Sequence, residues 1–264
     1  MSSRVAVSLL AVFLAAGDLR AGEPIDTDGP DFVESSEVVG KGRFQFEANI
    51  ASERDRRDGI RRTTTSTPTL LRFGVTDTVE IRLETEGRIQ VSNQATGSEA
   101  SSSEVGNADY ALGVKWHSQD RNSAVTIPAV SWIVHFDTPT GSKSFKGHGT
   151  RPSLRSVLTW DLPDGLALGL MPGLRYDATP DGHRFVSTTF GAVLSRRWSE
   201  HFRTFMESAA PQIASNRDGG VLMSWTFGAA YLLTNDWQIG VRQARAANRN
   251  TPNSQLLFEL AGRY

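Results

Sequence analysis

The chain has 264 residues, a formal net charge of −1 and no cysteine. The length suffices for one large β domain or two small ones, and the charge gives no electrostatic indication of nucleic acid or acidic lipid surfaces as partners. The lack of cysteine excludes thiolate metal sites, cysteine nucleophiles, disulfides and a lipoprotein anchor.

The N-terminal stretch predicts export. Arg4 precedes the apolar run from Val5 to Ala16, which is shorter than the ~20 residues of a membrane-spanning helix. Small residues follow, so residues 1–21 are interpreted as a cleaved signal peptide, with a buried helix as the alternative. Residues 22–41 are polar and contain Gly and Pro, which predicts an exposed periplasmic lead-in segment before a domain at 42–264.

Strand alternation begins directly after this segment. Phe44, Phe46, Ala48 and Ile50 alternate with Arg43, Gln45, Glu47 and Asn49. The clearest alternation spans Val79–Val91, where only Gly87 interrupts the apolar row. A strand that crosses a bilayer at a tilt needs about 9 to 11 residues, more than the usual ~5 to 6. The pattern therefore predicts a transmembrane strand with one face toward lipid and one toward a polar lumen.

Further alternating segments bring the count to about twelve strands. They centre on 65–75, 110–117, 130–136, 154–162, 166–176, 185–194, 202–208, 223–231, 237–241 and 255–264. Short connections alternate with longer polar ones, as periplasmic turns alternate with extracellular loops. The fold prediction is all-β, a single-domain, closed antiparallel transmembrane barrel of about twelve strands in the bacterial outer membrane. The alternative is a β-sandwich, in which the aromatic residues would be ordinary core residues. Bulges or strand ends are expected at Pro68, Pro128 and Pro172.

Three segments carry a family resemblance. They are Thr27–Glu47, with Asp28, Pro30, Asp31, Phe32, Glu34 and Ser35; Leu70–Leu83, with Arg72, Gly74, Thr76, Asp77 and Glu80; and Asp137–Gly141, with a Pro-Thr-Gly signature. Together they resemble the bacterial outer-membrane transporters grouped as the MetA-pathway of phenol degradation, in which arginine commonly stands where this chain has Gly29. The resemblance implies a barrel that passes small molecules, without defining phenol as the solute.

The last strand also resembles the signal that the barrel-assembly machinery reads. Its residues are Phe258, Leu260 and the terminal Tyr264. The alternative is that this segment is simply the last strand, and both can hold. The partners expected are outer-membrane lipid, the barrel-assembly machinery and a small-molecule solute, with no nucleic acid.

The alternation assigns many charged side chains to the lumen. They are Arg43, Glu47, Arg72, Glu80, Arg82, Glu84, Glu86, Arg88, Lys115, Arg155, Arg175, Arg203, Glu207, Arg242, Glu259 and Arg263. Both signs are present, so pairing across neighbouring strands is expected. The set forms either a selectivity filter or a structural network that fills a narrow barrel.

The sequence gives little indication of an enzyme. It has no Gly-x-Ser-x-Gly elbow, no complete phosphate loop and no histidine pair with metal-ligand spacing. The histidines are His117, His135, His148, His183 and His201, and a Ser/His site assembled across strands stays open. We expect no cofactor, no metal and no catalysis. The predicted function is passive passage of small solutes, with aromatic or hydrophobic ones as candidates, through a lumen gated by its polar wall and by the lead-in segment. The alternatives are a structural or adhesive barrel and, less favoured, a barrel-borne hydrolase.

Overall fold

The structure is a computed structural model that describes residues 23–97, 101–122, 126–179 and 181–264. The predicted signal peptide lies outside these residues. Strand segments account for most of the described chain. They are β1 (Phe44–Arg57), β2 (Ile60–Ser66), β3 (Thr69–Gly74), β4 (Val79–Thr85), β5 (Arg88–Ala95), β6 (Ser101–Asn107), β7 (Tyr110–Gln119), β8 (Ala129–Thr138), β9 (Arg151–Asp161), β10 (Leu166–Ala178), β11 (Arg184–Arg197), β12 (Phe202–Ile213), β13 (Val221–Thr234), β14 (Trp237–Ala246) and β15 (Ser254–Arg263).

The wall is a closed ring of twelve antiparallel strands, as predicted. Its order is β1, β3, β4 and then β7 through β15, and β15 pairs with β1 to close it. Short 3-10 turns lie at Pro163–Gly165 and Asn216–Asp218. Among the described residues, the structure contains no helix of sufficient length and apolarity to cross a membrane.

The two ends of the ring differ. One, the short-turn end, carries the tight turns 75–78, 162–165, 198–201 and 235–236. The other, the long-loop end, carries residues 139–150, 214–220 and 247–253 together with β2, β5 and β6, which extend the wall outward. This asymmetry is that of periplasmic turns and extracellular loops.

Three successive strands of the ring break at the same height. β2 and β3 separate at Thr67 and Pro68, β4 and β5 at Glu86 and Gly87, and β6 and β7 at 108–109. Proline cannot donate to a ladder, and Gly87 has a φ of +66° that disfavours other residues. The prediction of one continuous strand over Val79–Val91 is therefore wrong.

The break at Gly87 reverses the faces that follow it. Val91 is buried and pairs with Thr64, which pairs in turn with the lumen-facing Glu53. Arg88 consequently lies on the outer face, so its assignment to the lumen is wrong. Of the two remaining prolines, Pro128 precedes β8 as expected, whereas Pro172 lies inside β10, in unbroken register with β11.

The wall buries charge and exposes apolar groups. Arg72, Glu80 and Lys115 are 1%, 0% and 0% exposed on the inner face, whereas Ile50 and Val186 are 61% and 63% exposed on the outer face. Apolar outer side chains continue around the ring, and Trp116 pairs with Trp132 across β7 and β8. A water-soluble protein rarely leaves so large an apolar surface uncovered. Lipid chains are the medium that such an exterior fits.

Candidate functional site: a plugged lumen

Residues 23–41 fold into the barrel and form a plug. The plug enters and leaves at the short-turn end, where the Ile25 N–H donates to the Asn235 carbonyl at 2.6 Å and the Gly42 N–H donates to the Gly74 carbonyl at 2.8 Å. Between these points it reaches the lumen, where Val33 and Glu34 are 3% and 8% exposed. The prediction of an exposed lead-in segment is therefore wrong.

Asp28 of the plug is surrounded by three cationic side chains of the wall. Its carboxylate lies 2.8 Å from the Lys115 Nζ, 2.6 Å from the Arg82 Nη1 and 3.7 Å from the Arg72 Nη1. Burial alone would raise its pKa, but the three surrounding cations outweigh burial and hold the pKa of Asp28 well below its usual range. The anion is thus the form that the docked plug requires.

Two further plug carboxylates are clamped by arginines. Glu34 lies between the Arg82 Nη2 at 2.8 Å and the Arg155 Nη1 at 2.7 Å. Asp31 receives two parallel bonds from the Arg203 guanidinium, at 2.8 and 3.0 Å. Such bidentate pairs fix orientation as well as supplying energy. The three carboxylates therefore tie the plug to β4, β7, β9 and β12, on widely separated parts of the ring.

Carboxylates of the wall bind the plug backbone in return. Glu47 accepts from the Asp28 and Gly29 N–H groups at 2.9 to 3.1 Å, and Glu207 accepts from those of Phe32 and Val33 at 2.7 to 3.1 Å. A segment without regular secondary structure must satisfy its buried N–H groups in some other way. Inward glutamates do so here, and this explains their place in the lumen.

A small apolar core supports the plug tip. Val33 packs against Ile133, Val157, Met171, Val193 and Phe205 of the wall. The wall leaves space for the tip at Gly191, where an added Cβ would lie only 2.6 Å from a Val33 methyl group. Glycine at this inward position therefore makes room for the plug.

Above the plug lies a cavity of about 830 Å³. Its lining combines plug, wall and loop side chains of both charges with apolar groups. They include Pro30, Asp31 and Phe32 of the plug, Glu84, His135, Arg155, Leu174, Arg242, Leu257 and Glu259 of the wall, and Phe145, Lys146 and His148 of the loop 139–150. The volume is that of a site for one small organic molecule.

The Pro-Thr-Gly signature lies at the start of that loop, before the residues 144–148 that line the cavity. The Asp109 carboxylate accepts from the Gly141 N–H at 2.8 Å, the Gly147 N–H at 2.9 Å and the Arg151 Nη2 at 2.8 Å. Although burial acts to raise it, these donors lower the pKa of Asp109 below its usual value. Asp109 thus holds both ends of the loop against the break between β6 and β7.

Most of the predicted lumen residues do lie inside the barrel. Those against the plug or in the cavity are Glu47, Arg72, Glu80, Arg82, Glu84, Glu86, Lys115, Arg155, Arg175, Arg203, Glu207, Arg242, Glu259 and Arg263. Pairing across neighbouring strands is confirmed for Arg72, whose guanidinium lies 3.1 Å from Glu47 and 2.9 Å from Glu80. Arg43 is misassigned, since β1 begins one residue later and leaves it exposed in the turn at the short-turn end.

The lead-in motif is brought together as a unit within the plug. Pro30 faces the inward Gly240, and the Ser35 N–H donates to Asp28 at 3.0 Å. At the C-terminus, Tyr264 joins β15 to β1 through backbone bonds with Phe44 of 2.8 and 2.9 Å, and Phe258 lies on the outer face. The assembly role of Phe258, Leu260 and Tyr264 stays a prediction.

One serine, histidine and aspartate do meet across strands. The Ser131 Oγ lies 3.4 Å from the His117 Nδ1, and the His117 Nε2 lies 2.9 Å from Asp120. Ser131 and the His117 Nδ1 both bind the Ser36 carbonyl, however, the latter at 2.8 Å. A carbonyl only accepts, so Nδ1 carries a proton and cannot serve as base for Ser131. The arrangement holds the plug.

Within the described ranges, no group of three or more His, Asp or Glu side chains is placed to bind a metal.

Comparison with known families gives a match over residues 27–264 to the family described as "Putative MetA-pathway of phenol degradation". The chain belongs to this family. The match begins at Thr27, so the family includes the plug as well as the barrel. No curated protein matches the chain.

Solved structures with a similar fold include an outer membrane channel, an autotransporter β domain and a porin. An outer membrane channel from Pseudomonas putida F1 aligns with a TM-score of 0.66 at 12% identity, covering 87% of this chain and 98% of that one. The β domain of the Bordetella autotransporter BrkA aligns with a TM-score of 0.52 at 11% identity, covering 84% and 98%. The NanC porin aligns at 0.50 with 13% identity, covering 81% and 97%. At these identities the likeness concerns the fold.

Sequence reasoning found the carboxylates of the plug and missed their position. The available signal was the concentration of acidic residues at 28–37, which is opposite in charge to Arg72, Arg82, Lys115 and Arg203 in the predicted lumen. Asp109 and the cavity gave no comparable signal, because both depend on strand breaks that alternation alone does not show.

Proposed function

We propose that this protein is an outer-membrane channel for passive passage of small solutes, which opens when the plug leaves the lumen. The observation that carries the proposal is that a segment at the start of the barrel domain blocks the lumen below a cavity. A structural or adhesive barrel needs a filled lumen but has no need of a solute-sized cavity above the filling. The fold shared with an outer membrane channel agrees with this function.

The contacts of the plug suit reversible closure. They include many ion pairs and hydrogen bonds, among them the clamps on Asp28, Asp31 and Glu34, while Val33 enters the apolar core and Phe32 packs against it. Charged groups released from such contacts can be hydrated by water in an open lumen, so undocking replaces protein partners with water. An apolar plug would lose that compensation.

The cavity indicates the kind of solute. Phe32, Phe145, Leu174 and Leu257 offer apolar surface, while charged groups of both signs, such as Arg242, surround it. This combination suits small solutes that join an apolar or aromatic body to a polar group. Apolar groups would supply contact and the charged groups would orient the polar end.

Deletion of residues 23–39 tests the proposal. The refolded deletion variant should give a markedly higher conductance in planar bilayers than the full chain, and faster swelling of liposomes in a monosaccharide. Circular dichroism and heat-modifiable gel migration verify that the ring is intact. An unchanged conductance with an intact ring would contradict gating by the plug, and a closed lumen after deletion would favour the structural or adhesive alternative.

A further inference from the structure

Four exposed arginines cluster on the outer face of the wall at the long-loop end. They are Arg54 and Arg56 on β1, Arg61 on β2 and Arg245 on β14, here called the arginine patch. Strand alternation places Arg54 and Arg56 on the same outer face as Ile50. Arg56 lies opposite Arg61, and Ser254 of β15 lies opposite both Arg54 and Arg245. The four side chains thus share one surface across four adjacent strands.

The patch carries positive charge without a counterion. In the part of the chain that the structure describes, none of its guanidinium groups forms an ion pair, whereas the inward-facing Arg57 of the same strand lies 3.0 Å from Asp55. Like charges directly opposite each other, as at Arg56 and Arg61, are destabilising. The net charge of −1 therefore conceals a local excess of positive charge that an external anion would neutralise.

The outer surface below the patch is apolar in the same register. Ile50, Phe258 and Val241 form one cross-strand row on β1, β15 and β14, and Arg54, Ser254 and Arg245 form the row four residues further out. At ~3.3 Å per residue and a tilt of ~45°, the two rows are about 9 Å apart along the membrane normal. The patch consequently lies at the headgroup layer when the lower row lies in hydrocarbon.

We propose that the arginine patch binds phosphate groups of anionic lipid headgroups in the outer leaflet. Acyl chains would lie against Ile50, Phe258 and Val241, and the phosphates would reach Arg54 and Arg245. Guanidinium groups bind phosphate through two parallel hydrogen bonds, which suits this pairing. The proposal depends on the outer-membrane location and is independent of transport.

Lipid binding to the purified full chain in detergent tests the proposal. Native mass spectrometry would compare a bisphosphorylated lipid A with the same lipid after phosphate removal and with inorganic phosphate. The variant R54Q/R245Q should bind the phosphorylated lipid about 30-fold more weakly, since each arginine near an anionic surface contributes roughly 1 kcal/mol. The matched variant R196Q/R197Q, which removes two exposed arginines at the short-turn end, should bind it as the unmodified chain does.

Three results would overturn the proposal. They are equal binding by R54Q/R245Q and the unmodified chain, equal binding of the dephosphorylated lipid, and saturation by inorganic phosphate at the concentration at which the lipid saturates. A second variant, R56Q/R61Q, removes the two arginines that lie opposite each other and, like R54Q/R245Q, removes two positive charges. Its lipid affinity should fall similarly while circular dichroism shows an intact barrel.

Discussion

Loss of the Glu34 clamp should release the plug. Glu34 is 8% exposed and lies 2.8 Å from the Arg82 Nη2 and 2.7 Å from the Arg155 Nη1. Removing one partner of a buried ion pair costs about 3 to 5 kcal/mol, because the other partner is left without compensation. Glutamine at position 34 keeps one acceptor oxygen, so we take the lower limit of about 3 kcal/mol for Glu34→Gln. At 1.4 kcal/mol per tenfold, the undocked fraction should rise about 100-fold.

Single-channel recording in planar bilayers measures that fraction as the time spent at the conductance of the 23–39 deletion variant. Glu37→Gln is the matched control on the same plug, since Glu37 pairs with Arg121 at 2.7 Å but is about one third exposed, at 34%. Exposed pairs contribute about 0 to 1 kcal/mol, so the control should raise the open time less than about fivefold. Equal open times for the two variants would refute the assignment of Glu34 as a principal clamp.

Three further predictions concern the plug and the loop above it. Gly191→Ala should raise the open time by pushing a methyl group against Val33, whereas unchanged gating would show that the tip does not need this space. Asp28 has a lowered pKa when docked, so its contribution is complete above its unfolded value of about 3.9 and is lost as the pH falls through the docked value; conductance should rise in that acid range, and Asp28→Asn should remove this step. Asp109→Ala should free the loop 139–150, and trypsin should then cleave it at least about tenfold faster, because three charge-assisted bonds are lost.

The ring could be predicted from the sequence because a bilayer imposes a simple rule on it. Every second side chain must face lipid, so the period of two survives from Phe44 to Tyr264 with few exceptions. The exceptions are informative. At Gly87 and Pro68 the chain breaks, and the parity of Arg88 and Val91 reverses after the break. The alternation of apolar and polar residues does not predict such a reversal, since one residue outside the hydrogen-bond ladder moves every following side chain to the other face of the sheet.

The plug could not be placed from the sequence because its conformation depends entirely on tertiary contacts. Residues 23–41 contain no strand or helix and no apolar period, so local patterns identify only a loop. Its order comes from partners far along the chain, such as Arg203 for Asp31 and Glu207 for the Phe32 N–H. The same contacts explain why the lumen charges, which suggested a selectivity filter, serve first to hold this segment.

A reversible crosslink between plug and wall tests the central claim most directly. The Ser36 Oγ lies 2.5 Å from the Thr159 Oγ1 of β9, and the chain has no cysteine of its own, so Ser36→Cys with Thr159→Cys introduces a single disulfide. Liposome swelling in a monosaccharide should be slow with the disulfide formed and should recover on reduction, while either single variant is unaffected by oxidant. Equal swelling before and after reduction of a fully crosslinked sample would contradict passage through a lumen that the plug must leave.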